Sequence, residues 1–150
     1  MKYVLFSALL LFNINGNAQS VATVDSVKQV INTMFAAMKT GNGKAVQDCF
    51  ADSAVLQTIV VNKSGNVKVK NESILNFAAM ISIMPNDSAD ERIVFETIKI
   101  DDNLASVWTP YQFYYAGKFS HCGVNSFQLV RINGIWRIQY LIDTHRNKCD

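Results

Sequence analysis

The side chains with the most chemical capacity crowd into the last third of this chain. Its two histidines, His121 and His145, fall there, together with Trp108, Gln112, Cys122, Asn125, Tyr140, Asp143, Thr144, Arg146 and Cys149. Imidazole titrates near neutral pH, so His121 is the first candidate for acid–base work. Asp48, on a short upstream segment, is the expected carboxylate that reaches a cavity mouth and orients it. The plainer alternative is a structural His121 hydrogen-bonded to Gln112 or to a backbone carbonyl. Asp143 and His145 lie two residues apart, on one face of a strand, so a carboxylate–imidazole pair is feasible. With Tyr111 and Arg146 they read as a structural polar cluster closing a sheet edge. Cys122 adjoins His121, but neighbouring strand residues point to opposite faces, which argues against a thiol–imidazole nucleophile. Two histidines are few for a transition-metal site, and the cysteine spacings match no zinc motif. No metal and no cofactor are expected.

The elements that position these groups follow from pattern. Positions 20–39 place Val24, Val27, Ile31, Met34, Phe35 and Met38 at three- and four-residue steps, an amphipathic helix ended by Gly41-Asn42-Gly43. Positions 44–50 read as a second short helix. Positions 54–61 and 67–70 read as a hairpin about Lys63-Ser64-Gly65-Asn66. Asn71 is the expected cap of a third helix through Ile83, burying Ile74, Leu75, Phe77, Ala78 and Ile81, with Pro85 beyond its end. Strands are expected over 91–100, 104–115, 118–132 and 135–145, the last three joined by Ala116-Gly117 and Asn133-Gly134. Met34, Phe35, Met38, Phe77 and Met84 read as helix packing, though they suit an apolar pocket floor.

Two-residue hairpins fix register, and alternation then fixes faces. This sets Gln112 against His121 and Trp108 against Asn125. The more apolar face then lines a concave interior, with Leu129, Trp136 and Ile138 as core. Trp108, Gln112, His121, Asn125, Tyr140 and Thr144 form an aromatic and polar ligand lining toward the open end. Tyr111, Phe113 and Tyr115 fall on the convex face, where exposed aromatics suggest a homodimer. A bulge would swap the faces beyond it.

Lys2, the apolar stretch 3–12 and Gly16-Asn17-Ala18 have the form of an export signal cleaved after Ala18, leaving a single domain over 19–150. The expected location is secreted or periplasmic, with no membrane attachment after cleavage. The chain has 14 basic and 12 acidic residues, scattered rather than clustered, which disfavours nucleic acid as a partner. Three cysteines in an oxidising compartment allow one internal bridge. A returning tail could join Cys122 to Cys149 and leave Cys49 free; otherwise all three thiols stay reduced.

Helix, helix, hairpin, helix and four-strand meander predict an α+β cone: three N-terminal helices packed on a strongly curved, mainly antiparallel sheet. The order resembles the nuclear transport factor 2-like superfamily, also described as SnoaL-like or cystatin-like cones. Trp108–Tyr111, Ser120–Gly123, Phe127–Arg131, Gly134–Ile138 and Asp143–Arg146 resemble the motifs of a bacterial branch labelled putative lumazine-binding. His145 departs from that pattern, where arginine is expected. The reading that follows is an exported domain holding a small, partly aromatic organic ligand in the cone cavity. Its alternatives are a cofactor-independent lyase or isomerase using His121, since related cones such as scytalone dehydratase and ketosteroid isomerase transfer protons, and a dimeric interaction module.

Overall fold

The computed structural model describes residues 20–149, so the expected export signal lies outside the described residues. Ser20 caps α1 (Val21–Lys39), its hydroxyl accepting from the Thr23 amide. One side of α1 buries Val27, Ile31, Met34, Phe35, Ala37 and Met38. Asn42 caps α2 (Gly43–Asp48). A Cβ at Gly43 would lie 2.0 Å from the Ala78 carbonyl oxygen, so the missing side chain lets α2 sit directly on α3 (Ile74–Ile83).

The hairpin is longer than its sequence pattern indicates, with β1 running Phe50–Val61 and β2 Val67–Glu72. Asn71 is therefore a ladder residue opposite Gln57 and accepts from the Gln57 amide at 2.7 Å. Ser73, not Asn71, caps α3. That helix buries Ala78 and Ile81, whereas Leu75 is 64% exposed, contrary to expectation.

Positions 91–100 form two strands rather than one, β3 (Ala89–Ile93) and β4 (Thr97–Asp101), both paired with β5 (Leu104–Tyr115). The break lies opposite Pro110. Its carbonyl accepts from Val94, and its missing N–H faces the same neighbour, so the ladder is interrupted there. β6 (Lys118–Ile132) and β7 (Ile135–Thr144) complete a sheet of order β2-β1-β7-β6-β5-β3. Every pairing is antiparallel except β1 with β7. The two tight turns place Ala116, Gly117, Asn133 and Gly134 all at positive φ, the twist a two-residue hairpin needs.

Two extra residues reshape this meander. Ser120 has no cross-strand partner, so Tyr114 pairs with Phe119 but Phe113 pairs with His121. Gln139 is likewise skipped, between Leu129–Ile138 and Gln128–Tyr140. Beyond each bulge the faces exchange. Ala105, Val107, Thr109 and Tyr111 turn inward on β5, beside the buried Asn125, Phe127 and Leu129 of β6. The core between sheet and helices centres on Phe127, Ile31, Met34, Ile81, Leu129 and Ile138, all fully buried, with Phe35 and Phe127 edge to face.

Candidate functional site

Between α1, α3 and the upper part of the concave sheet lies a cavity of about 280 Å³, at the small end of ligand pockets. Its floor and helical wall are apolar, built by Met34, Phe35, Met38, Phe77, Met80 and Met84. The sheet supplies the polar groups: Glu91 from β3, Tyr111 from β5, His121 and Asn125 from β6, Asp143 from β7, and His145 just past its end.

These groups are wired together. The imidazole Nε2 of His145 lies 2.7 Å from Asp143 Oδ2. The Tyr111 hydroxyl lies 2.9 Å from the Thr144 carbonyl oxygen and 3.2 Å from that same carboxylate oxygen. Asn125 Nδ2 donates to Glu91 Oε1 at 2.7 Å. The rings of His121 and His145 stack with centroids 4.3 Å apart, and His121 also contacts Phe113 and Tyr111. Ser120 Oγ, on the bulge, lies 3.1 Å from His121 Nδ1.

Environment separates the titrations. Burial pushes the Glu91 carboxyl up to about 7; nearby Asp143 adds to this, and the Asn125 hydrogen bond and the His145 charge oppose it. The hydrogen bond to Asp143 raises His145, whereas burial and the His145 charge lower His121. Burial and the neighbouring Asp143 and Glu91 carboxylates hold Tyr111 far above its ordinary value, so it stays a neutral donor. A carboxyl that titrates around neutrality beside a carboxylate-anchored imidazole can hold or move a proton. Among the described residues, no group of three His, Cys, Asp or Glu side chains is arranged to hold a metal ion.

Of the expected ligand lining, His121 and Asn125 face the cavity and the others do not. Trp108 is 45% exposed and Gln112 lies on the outer face, because the Ser120 bulge pairs Phe113, not Gln112, with His121. The Gln139 bulge likewise removes Tyr140, whose hydroxyl lies 2.6 Å from Gln57 Oε1. Thr144 accepts from the Val124 amide. In their place stand Tyr111 and Phe113, which the sequence placed on the convex face. Asp48 does not approach His121: it pairs with Lys44 on α2 and lies near Phe50 and Arg137, apart from the cavity.

Tyr111, Asp143 and His145 do form a cluster, within the cavity wall rather than at an outer edge. Arg146 is held by backbone bonds to Cys122 in both directions, at 2.7 and 3.0 Å. Cys122 and Cys149 are joined by a disulfide with Cα atoms 6.2 Å apart, and Cys49 is a buried free thiol. The sequence reading passed over Glu91. Its signal was parity: on β3 it shares a face with Ile93, a packed core neighbour, so the acid was aimed inward.

A family model described as putative lumazine-binding matches residues 22–140. No curated protein matches the chain. Among solved structures, an NTF2-like protein of unknown function from Shewanella baltica superposes with a TM-score of 0.68 at 15% identity, covering 88% of this chain and 100% of that one. One from Silicibacter pomeroyi gives 0.65 at 17% identity, with 83% and 97% covered. A cystatin-like domain of unknown function from Nostoc punctiforme gives 0.67 at 14%, with 86% and 80% covered.

Proposed function

Because this chain belongs to the putative lumazine-binding family and has an NTF2-like fold, we propose that it is an exported domain holding a small, partly aromatic organic ligand in the cone cavity. The observation that carries this is the division of the cavity into an apolar floor of methionine and phenylalanine and a wall of convergent polar groups, the usual make-up of a ligand pocket. Aromatic rings meet Phe113 and the stacked imidazoles, and polar edges meet Glu91, Asn125 and His145.

A thermal-shift panel of aromatic heterocycles, pteridinediones included, tests the reading. A ligand at a hundredfold excess over its Kd stabilises by about 2.7 kcal/mol, and Phe113→Ala and His121→Ala are expected to reduce the shift. Absence of any shift across the panel at millimolar concentration sinks it.

A second reading, proton transfer on the bound molecule, is favoured by the 2.7 Å Asp143–His145 pair. Here His145 takes the acid–base role first expected of His121. Turnover lost in Asp143→Asn with ligand affinity kept supports this reading; turnover unchanged in that variant rejects it. Export is supported by the disulfide, which persists in oxidising compartments, and is checked by N-terminal sequencing of the mature protein. The aromatics left outside, Trp108, Tyr115 and Phe119, now support the homodimer in place of Tyr111 and Phe113. Sedimentation at micromolar concentration tests that pairing.

A further inference from the structure

The reading of the cavity as a ligand pocket leaves the charge of its occupant open. We propose that it selects an organic cation, a protonated amine or amidine carried on a small ring, over neutral and anionic molecules of the same shape. Among the described residues, three carboxylates, from Glu72, Glu91 and Asp143, line the cavity, and no lysine or arginine does. Asp143 is already matched by His145 and Tyr111. Glu91 is different. Its side-chain partner is the neutral amide of Asn125, and none of the ion pairs among the described residues includes it. A carboxylate held away from water without a cation in contact is costly, and a bound cation reduces that cost. An anion would meet the Glu91 carboxylate, with the exposed Glu72 adding charge of the same sign. Phe113 and Tyr111 offer ring faces on which a cation is further stabilised.

The surroundings of Glu91 supply only a partial internal substitute, the His145 charge. β6 presents Asn125 and His121; β7 and its extension present Asp143 and His145, whose opposed effects on Glu91 leave that of Asp143 the larger; β5 presents Tyr111, and β2 adds a further acid, Glu72. The helices present methionine, phenylalanine and isoleucine. Lys39, at the end of α1, is taken by Asp90 at 3.3 Å, and Arg92 by the same carboxylate at 2.9 Å. Since the unliganded Glu91 carboxyl titrates at about 7, a cation arriving at mildly acidic pH ionises it, and binding releases a proton to solvent.

Calorimetric titration with phenethylammonium, 2-phenylethanol and phenylacetate tests this on the intact domain. The expected order is ammonium, alcohol, carboxylate, with the cation favoured over the alcohol by about tenfold or more. In Glu91→Gln the preference for the cation over the alcohol collapses; Glu72→Gln, an exposed residue, causes a smaller loss of that preference. Cation titrations near pH 6, repeated in two buffers of different ionisation enthalpy, should show proton release in the wild type and none in Glu91→Gln. Alcohol and ammonium binding alike, or a preference that survives Glu91→Gln, overturns the proposal and leaves the pocket reading standing. If none of the three probes binds at millimolar concentration, the cation proposal is overturned, and the heterocycle panel decides the pocket reading separately.

Discussion

Glu91 shows how position sets the chemistry of one side chain. Burial raises it from an ordinary 4.5 to about 7, so the folded protein binds a proton that the unfolded chain releases between those values. Stability from this group is complete below about pH 4.5 and is lost as pH rises to about 7, a span worth about 3 kcal/mol. His145, raised by Asp143, acts in the same direction, its share being lost as pH rises past its unfolded value. His121, lowered by burial, acts oppositely, its share being present above its unfolded value and lost as pH falls. The difference between wild type and Glu91→Gln reports the first effect together with the part of the His145 effect that depends on Glu91. Urea unfolding should show the variant gaining relative stability between about pH 5 and 8, by a few kcal/mol at most. Equal pH slopes in the two proteins would mean that Glu91 is solvated and ordinary. The Glu91 substitution also removes part of what raises His145, which adds to the expected change.

At the scale of elements, two inserted residues decide which side chains reach the cavity. Helix α1 was legible because its apolar spacing is helical, and the tight turns because Ala-Gly and Asn-Gly favour positive φ. Within β6, His121, Asn125, Phe127 and Leu129 share the inward face that alternation indicates, since no slip falls between them, whereas Phe119, expected on the same face, lies before the Ser120 bulge and is 47% exposed. The bulges at Ser120 and Gln139 were not legible, because an unpaired residue in a ladder has no distinctive composition. Gln139 becomes recognisable only in three dimensions, where its amide donates to the Ser53 carbonyl at 3.0 Å and β1 shifts register alongside. Each slip exchanges alternate residues, so Trp108 and Gln112 left the lining while Tyr111 and Phe113 entered it.

Gly123 is the element-scale counterpart of this fit. A Cβ there would lie 1.7 Å from the Thr144 carbonyl oxygen and 2.7 Å from the Tyr111 ring. Both contacts are fixed, one by backbone and one by a buried ring that hydrogen-bonds Thr144. Gly123→Ala is therefore expected to part β6 from the end of β7 and displace Tyr111, destabilising by about 3 kcal/mol. Gly43→Ala makes a similar demand at the α2–α3 contact but lies away from the cavity lining. If Gly123→Ala unfolds in urea with the wild-type midpoint, the close approach drawn between these strands is wrong.

Across the whole molecule, the cavity depends on how the chain finishes. β7 ends at Thr144, yet His145 must be held against His121 from the first residue beyond the ladder. Two restraints do this: the paired backbone bonds between Arg146 and Cys122, and the disulfide from Cys122 to Cys149 across a separation of 27 residues. On the chain-entropy model a loop of that size adds about 3–4 kcal/mol by restricting the unfolded chain. Because Cys122 follows His121 directly and points to the opposite face, the tether fixes both imidazoles without entering the cavity. The double variant Cys122→Ser/Cys149→Ser should lose stability up to that amount. Its tail should fray from the open end, weakening the His145–Asp143 bond. With only two histidines, proton NMR follows each titration separately. In the wild type His145 should titrate above and His121 below the ordinary value. In the double variant the two should converge, His145 moving down as its carboxylate partner loosens and His121 moving up as its charged neighbour withdraws. Unchanged histidine titrations in a folded but less stable variant would show that the disulfide staples the fold alone, and that the Arg146–Cys122 backbone pair suffices to hold the imidazoles together.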